Sequence, residues 1–227
     1  MMDQIAMLEQ AATVLAALDE RITFTGGITI ALYLDEIAAS DVRPTLDVDC
    51  VIEVTSTASY YKLADRLRQI GLQECQEEGA PLCRWQRQDL ILDIMPTESS
   101  VLGFSNSWYK SGIATAIPHT LPSGQQVWIF SIAYLLASKI EAFQGRGNRS
   151  FYGSHDFEDI VLLLDGCPTL EAEVDNADAT VKAYLVDWFR TALANLETYA
   201  PAHLSSVSRN AGREKLLLER LRRLAGA

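Results

Sequence analysis

The chain has 227 residues, 48% hydrophobic and 22% charged, enough to bury a substantial core in one large or two small domains. Its formal net charge of -11 argues against a broad nucleic-acid-binding face, because phosphate contacts are made mainly by Lys and Arg. No apolar run is long enough to span a membrane, and "MMDQIAMLEQAA" is acidic where an export signal is basic, so a cytoplasmic location is expected.

In chain order, residues 3–19 place Ala, Leu and Met at helical spacing and predict a first helix. "ITFTGG" reads as a short strand ending in two glycines, and "ITIALYLDEIA" as a helix that follows them. "LDVDCVIEV" is the next strand, rich in β-branched residues. "SYYKLADRLRQIG" is an amphipathic helix with Tyr60, Leu63, Leu67 and Ile70 on one face, stopped by Gly71. "LCRWQRQDLILDIMP" predicts a hairpin whose second arm ends at Pro96, and "ATAIPHTLPSGQQVWIF" two short strands around a Pro-Ser-Gly turn. From there on the period is helical. The expected organisation is therefore an α/β core over residues 1–130 and an all-helical region over 131–227. The four cysteines, Cys50, Cys75, Cys83 and Cys167, form no C-x-x-C pair and the histidines are scattered, which excludes common zinc spacings and predicts free, mostly buried thiols. The basic C-terminal helix, with Arg213, Lys215, Arg220, Arg222 and Arg223, reads as a solvated face or a partner contact.

Four features in this frame carry chemistry. Asp47 and Asp49, two apart at a strand, share a face, and like charges so placed raise each other's pKa unless a positive group sits between them. Either that face is solvated, or a divalent cation such as Mg²⁺ lies there. Gly26 and Gly27 end a strand before a helix, which is a turn or a phosphate-binding arrangement of bare N–H groups. Asp93 lies among Leu90, Ile91, Leu92, Ile94 and Met95, where an unpaired carboxylate is costly; it is one polar position on an edge strand or the third ligand of a metal cluster. Lys139, in an otherwise apolar helix, snorkels to the surface or points into a cleft. Asp156 and Asp159, three apart, share a helix face.

"FTGG", then "RPTLDVD", then "LDIMP" resembles the signature of the nucleotidyltransferase fold shared with DNA polymerase β. The downstream "ASKIEAFQGRGNRSFYGSHDFEDIVLLL" is similar to segments of the AbiE-type toxin nucleotidyltransferases, matched at Lys139, Ala142 and Arg146 and again at Asp156 and Asp159. Arg43, Thr45, Asp47 and Asp49 match the family's R-x-T-x-D-x-D run, and His155 stands where a basic residue is usual.

The resemblance covers about residues 20–165. It implies an α+β fold, with a mixed β-sheet flanked by helices and a helical C-terminal domain that completes the active-site cleft. It implies transfer of an NMP from an NTP co-substrate to an acceptor hydroxyl, with release of pyrophosphate and two Mg²⁺ ions bound with the nucleotide. The acceptor is RNA (tRNA), a protein or a small molecule, and a toxin–antitoxin or phage-defence role would add a cognate antitoxin as partner. The alternative is a catalytically silent nucleotide- or protein-binding module of the same fold.

The same likeness implies roles for residues. Asp47, Asp49 and Asp93 would hold the metal, or Asp93 would act as base. Thr25, Gly26, Gly27, Arg43, Lys139, Arg146 and Asp159 would bind the nucleotide, with Arg149 as a further phosphate contact. Lys139 would offset charge on the leaving group, and Asp156 would orient Lys139 or the nucleotide.

Overall fold

The computed structural model describes residues 4–18, 20–39, 42–145 and 150–226. Helix α1 (Gln4–Leu15) buries Met7, Leu8, Ala11, Ala12 and Leu15, a stripe at helical spacing. Strand β1 (Ile22–Thr25) follows and ends at Gly26, whose φ of 75° is a left-handed conformation that glycine adopts without penalty. The helix expected over "ITIALYLDEIA" is broken. It forms one turn, α2 (Gly27–Ile30), a 3-10 turn (Ala31–Tyr33), and then α3 (Glu36–Ala39). The break falls where Leu34 turns extended and Asp35 starts a new helix by accepting the Ala38 N–H at 3.0 Å. A side-chain cap thus outweighs continuation of the helix.

Strand β2 (Val48–Ile52) begins just after Asp47. Helix α4 (Thr57–Gln69) opens on a capping box between Ser56 and Ser59 and buries Leu63, Ala64 and Leu67. Strand β3 (Gln73–Glu74) and the expected hairpin of β4 (Arg84–Arg87) and β5 (Leu90–Pro96) come next. Short helices α5 (Ser99–Leu102) and α6 (Tyr109–Ala114) lead to the antiparallel pair β6 (Ile117–Thr120) and β7 (Gln126–Ile129).

The seven strands form one mixed sheet, ordered β3-β4-β5-β2-β1-β7-β6. Pairs β2–β5 and β1–β7 are parallel and the others antiparallel. The middle strands turn one wholly apolar face to the core, and Val51 adds to the burial on the other. Val48, Cys50, Val51, Ile52, Leu90, Leu92 and Ile94 are all buried.

From Ile132 the chain is helical: α7 (Ile132–Gly145), α8 (His155–Gly166), α9 (Leu170–Asp175), α10 (Ala179–Tyr199), α11 (Ser206–Asn210) and α12 (Arg213–Ala225). The α+β class with a helical C-terminal region is what the structure has. Two compact units result: Met1–Thr29 with Pro44–Ser131, built on the sheet, and Ile30–Arg43 with Ile132–Ala227, built on helices. Residues 30–43 join the helical unit because Gly166, lacking a Cβ, lets Leu34 and Ala38 press against the end of α8, and its carbonyl accepts the Asp35 N–H at 2.9 Å.

The C-terminal helix corrects the reading of a solvated basic face. Arg213 and Arg220 are buried. Arg220 donates to the carbonyls of Leu164 (2.7 Å) and Asp165 (3.0 Å), and Arg213 to the carbonyl of Asp165, so two guanidinium groups satisfy the open carbonyls at the C-terminus of α8. Arg213 also binds Asp165 Oδ1 at 2.8 Å, and Ser208 Oγ donates to Asp165 Oδ2 at 2.6 Å. Lys215, Arg222 and Arg223 are the outward-facing cations of that helix. No helix of the described residues is long and apolar enough to cross a membrane.

Candidate active site

Strand register assembles the carboxylates. Residue pairs in the ladder are Thr25 with Asp49, Asp49 with Asp93, and Asp93 with Arg84. Facing residues share a side of the sheet, so Arg84, Asp93, Asp49 and Thr25 form a row across β4, β5, β2 and β1. Asp47 precedes β2 and adds a third carboxylate to the row.

Arg84 is the positive group between two of these carboxylates. Its Nε donates to Asp93 Oδ1 at 2.8 Å, and its Nη2 donates to both Asp93 Oδ2 (2.8 Å) and Asp47 Oδ2 (2.7 Å). Thr45 Oγ1 donates to Asp47 Oδ1 at 2.9 Å and fixes that carboxylate from its other side. Asp93, an anomaly in the sequence, is thus a buried acid with a bidentate partner. Its hydrogen bond and charge raise the Arg84 pKa above the ordinary arginine value, with burial opposing, so the guanidinium stays charged.

Gly26 closes the row beside Asp49. A Cβ on Gly26 would overlap the Asp49 side chain, so glycine is required by space as well as by φ. The Gly26 carbonyl accepts the Thr29 hydroxyl at 3.0 Å. Gly27 starts α2, whose single turn adds little helix dipole. Any anion binding there would rest on loop N–H groups. Thr25 Oγ1 and Thr23 Oγ1 are buried and have no hydrogen-bond partner among the described residues.

Three carboxylates are hard oxygen donors of the kind Mg²⁺ takes, and the orphaned Thr25 hydroxyl, on the residue paired with Asp49, is a further buried oxygen in the same row. The donor types are those a divalent cation takes. Among the described residues, however, no three His, Cys, Asp or Glu side chains are grouped as a ready ligand cluster. Asp47 and Asp93 are turned to Arg84 instead.

The helical unit holds the remaining residues in its own cluster. Lys139, on α7, reaches Asp159 Oδ2 at 2.5 Å and Asp156 Oδ1 at 3.3 Å, both on α8. These side chains are only 12%, 7% and 13% exposed, respectively, so the lysine does not snorkel. Ser154 caps α8 through the Phe157 N–H, which places Asp156 in its first turn. Arg43 lies 3.8 Å from Glu158 Oε2 and lines a cavity of about 140 Å³ with Asp159, Asp165 and His203. Arg146 and Arg149 lie outside the described residues.

Sequence reading missed Arg84. The signal was present in "RWQRQDLILD", because a hairpin turning on Gln88-Asp89 sets Arg84 opposite Asp93.

No family model and no curated protein matches the chain. Among solved structures, the chain is similar to the crystal structure of an antigenic nucleotidyltransferase-like protein from Paracoccidioides brasiliensis. The TM-score is 0.52 with 23% identity, over 91% of this chain and 92% of that one. The likeness establishes a nucleotidyltransferase-like fold for this chain.

Proposed function

We propose that this protein is a Mg²⁺-dependent nucleotidyltransferase that moves an NMP from an NTP to an acceptor hydroxyl and releases pyrophosphate. The carrying observation is the row of Asp93, Asp49 and Thr25 in register beside the Gly26 turn, with Asp47 at its edge. The nucleotidyltransferase-like fold supports the reading. When bound, the divalent cation offsets the carboxylate and triphosphate charge and lowers the pKa of the acceptor hydroxyl.

The chain's own residues have these roles. Asp47 and Asp49 hold the cation. Asp93 completes the ligand set or takes the acceptor proton. The missing side chain at Gly26 makes room for the Asp49 carboxylate, the N–H groups of the same turn approach phosphate, and the Thr25 hydroxyl supplies a donor. Lys139, held by Asp156 and Asp159, takes the triphosphate role that the AbiE-type resemblance assigns it. RNA, a protein or a small molecule is the acceptor, and a toxin role with a cognate antitoxin is the biological setting in which such chemistry is regulated.

Each labelled NTP is incubated with the protein, Mg²⁺ and candidate acceptors, beside an Asp49→Ala control. Transfer by the parent alone supports the reading; folded protein that neither binds nor turns over any NTP removes it. One observation favours a second reading. Arg84 engages two of the three acidic residues, as in a catalytically silent module, and calorimetric NTP binding without turnover would select that alternative.

A further inference from the structure

Arg84 is held by its backbone on several sides. Its N–H donates to the Pro81 carbonyl at 3.0 Å, its carbonyl accepts the Cys75 N–H at 3.0 Å, and the adjacent Cys83 carbonyl accepts the Ile94 N–H at 2.9 Å. The strand is therefore fixed, and any rearrangement falls to the side chain. That side chain is 24% exposed, against 29% for Asp47 and 11% for Asp93, so solvent reaches the bridge. The exposed Leu82 precedes it on the approach to the strand, and Trp85 beside it is fully buried.

The guanidinium engages Asp47 Oδ2 and both oxygens of Asp93. A divalent cation that took either carboxylate would bring a second positive charge against the guanidinium and compete with it for the oxygens' charge. Arg84 and such a cation compete for these two acids. Unlike a deeply buried bridge, this one is open to competition.

We propose that Arg84 is a displaceable internal counter-ion. In the cation-free protein it bridges Asp47 and Asp93 and offsets their charge. A divalent cation enters only as the guanidinium swings out, leaving it free to meet an anion such as a nucleotide phosphate. The inference rests on the metal role proposed above for Asp47 and Asp93. Arg84 then acts as a positioning residue that sets the cation affinity of the site and keeps it closed to weak binders.

The probe is Mn²⁺ alone, titrated into nucleotide-free protein and followed by electron paramagnetic resonance. Arg84→Gln should bind Mn²⁺ about tenfold more tightly than the parent, since no charge-assisted bonds have to be surrendered. Arg84→Lys, which keeps the charge but lacks the fork, should fall between them and guards against misfolding of the glutamine variant. In the parent, the Arg84 Nε–H nuclear magnetic resonance signal should lose its protection on addition of Mg²⁺. Equal or weaker Mn²⁺ binding by both folded variants, or no binding by any of the three, overturns the inference. Tighter binding by the variants with no nucleotidyl transfer by the parent keeps the counter-ion role and removes the transferase. Transfer with a cation affinity indifferent to Arg84 does the reverse.

Discussion

Gly26 lies so close to Asp49 that the glycine Cα has room for hydrogen alone: a Cβ there would run into the carboxylate. The contact ties the end of β1 to the start of β2, and φ at Gly26 is 75°, which alanine adopts only with strain. Gly26→Ala should therefore destabilise the fold by about 1–3 kcal/mol and push the Asp49 carboxylate out of the row. Urea denaturation measures the first effect, and Mn²⁺ affinity the second. A variant with parental stability would show that the turn has room to relax.

Lys139 in the helical unit is an ammonium with two acidic partners on α8. Lys139→Ala leaves Asp156 and Asp159 facing each other with little solvent, at a cost of about 3 kcal/mol, the scale of a broken buried pair. Asp159→Asn in the same background should recover part of that loss, because it removes the unpaired charge. A double-mutant cycle by chemical denaturation checks this. A coupling near zero would mean that the lysine reaches solvent when its partners are removed.

Asp35 starts α3 and binds Arg213, whose Nη1 lies 3.0 and 2.8 Å from its two oxygens. Burial, the largest influence, favours the neutral acid. The Ala38 N–H and the Arg213 guanidinium favour the anion and together outweigh it, so the carboxyl titrates below the ordinary aspartate value. A depressed folded-state pKa gives stability that is complete above about pH 4 and is lost as pH falls through the folded value. Asp35→Asn should be less stable than the parent at pH 7, and the gap should close as pH falls below about 4. Unfolding free energies across that range test the sign; a gap that widens on acidification contradicts it.

Thiol reactivity should separate the cysteines. Burial first, and then Asp93, pushes Cys83 up to about 12, and burial and Asp49 raise Cys50 well above the ordinary thiol. Burial also raises Cys167. Only thiolates attack a disulfide reagent, so these three should be silent at pH 8 in the native state, while the part-exposed Cys75 reacts. Native protein should show one fast thiol, lost in Cys75→Ser, and four after unfolding. Fast labelling of Cys83 would indicate that the strand carrying Arg84 opens.

Much of the fold was legible because it rests on local pattern. The hairpin of β4 and β5, the amphipathic helix α4 and the helical period after residue 130 each declare themselves in runs of contiguous residues. The free thiols also follow from spacing, and three of the four are buried. The broken helix after Gly27 was not legible. Its break depends on Asp35 choosing a capping role while Gly166, far along the chain, receives Leu34 and Ala38.

Sequence alone determined which residue types are present and which face of a strand or helix each occupies, because periods of two and 3.6 are properties of the backbone. It thereby singled out Asp47 with Asp49, Asp93 in its apolar strand and Lys139 in its apolar helix. Only the tertiary structure decided what neutralises them. Pairing β4 with β5 and β5 with β2 sets Arg84 against Asp93 and Asp47, and packing α7 on α8 sets Lys139 against Asp156 and Asp159. Charge compensation depends on distances of a few ångströms between segments remote in sequence, and these distances exist only once the strands are in register and the helices are packed.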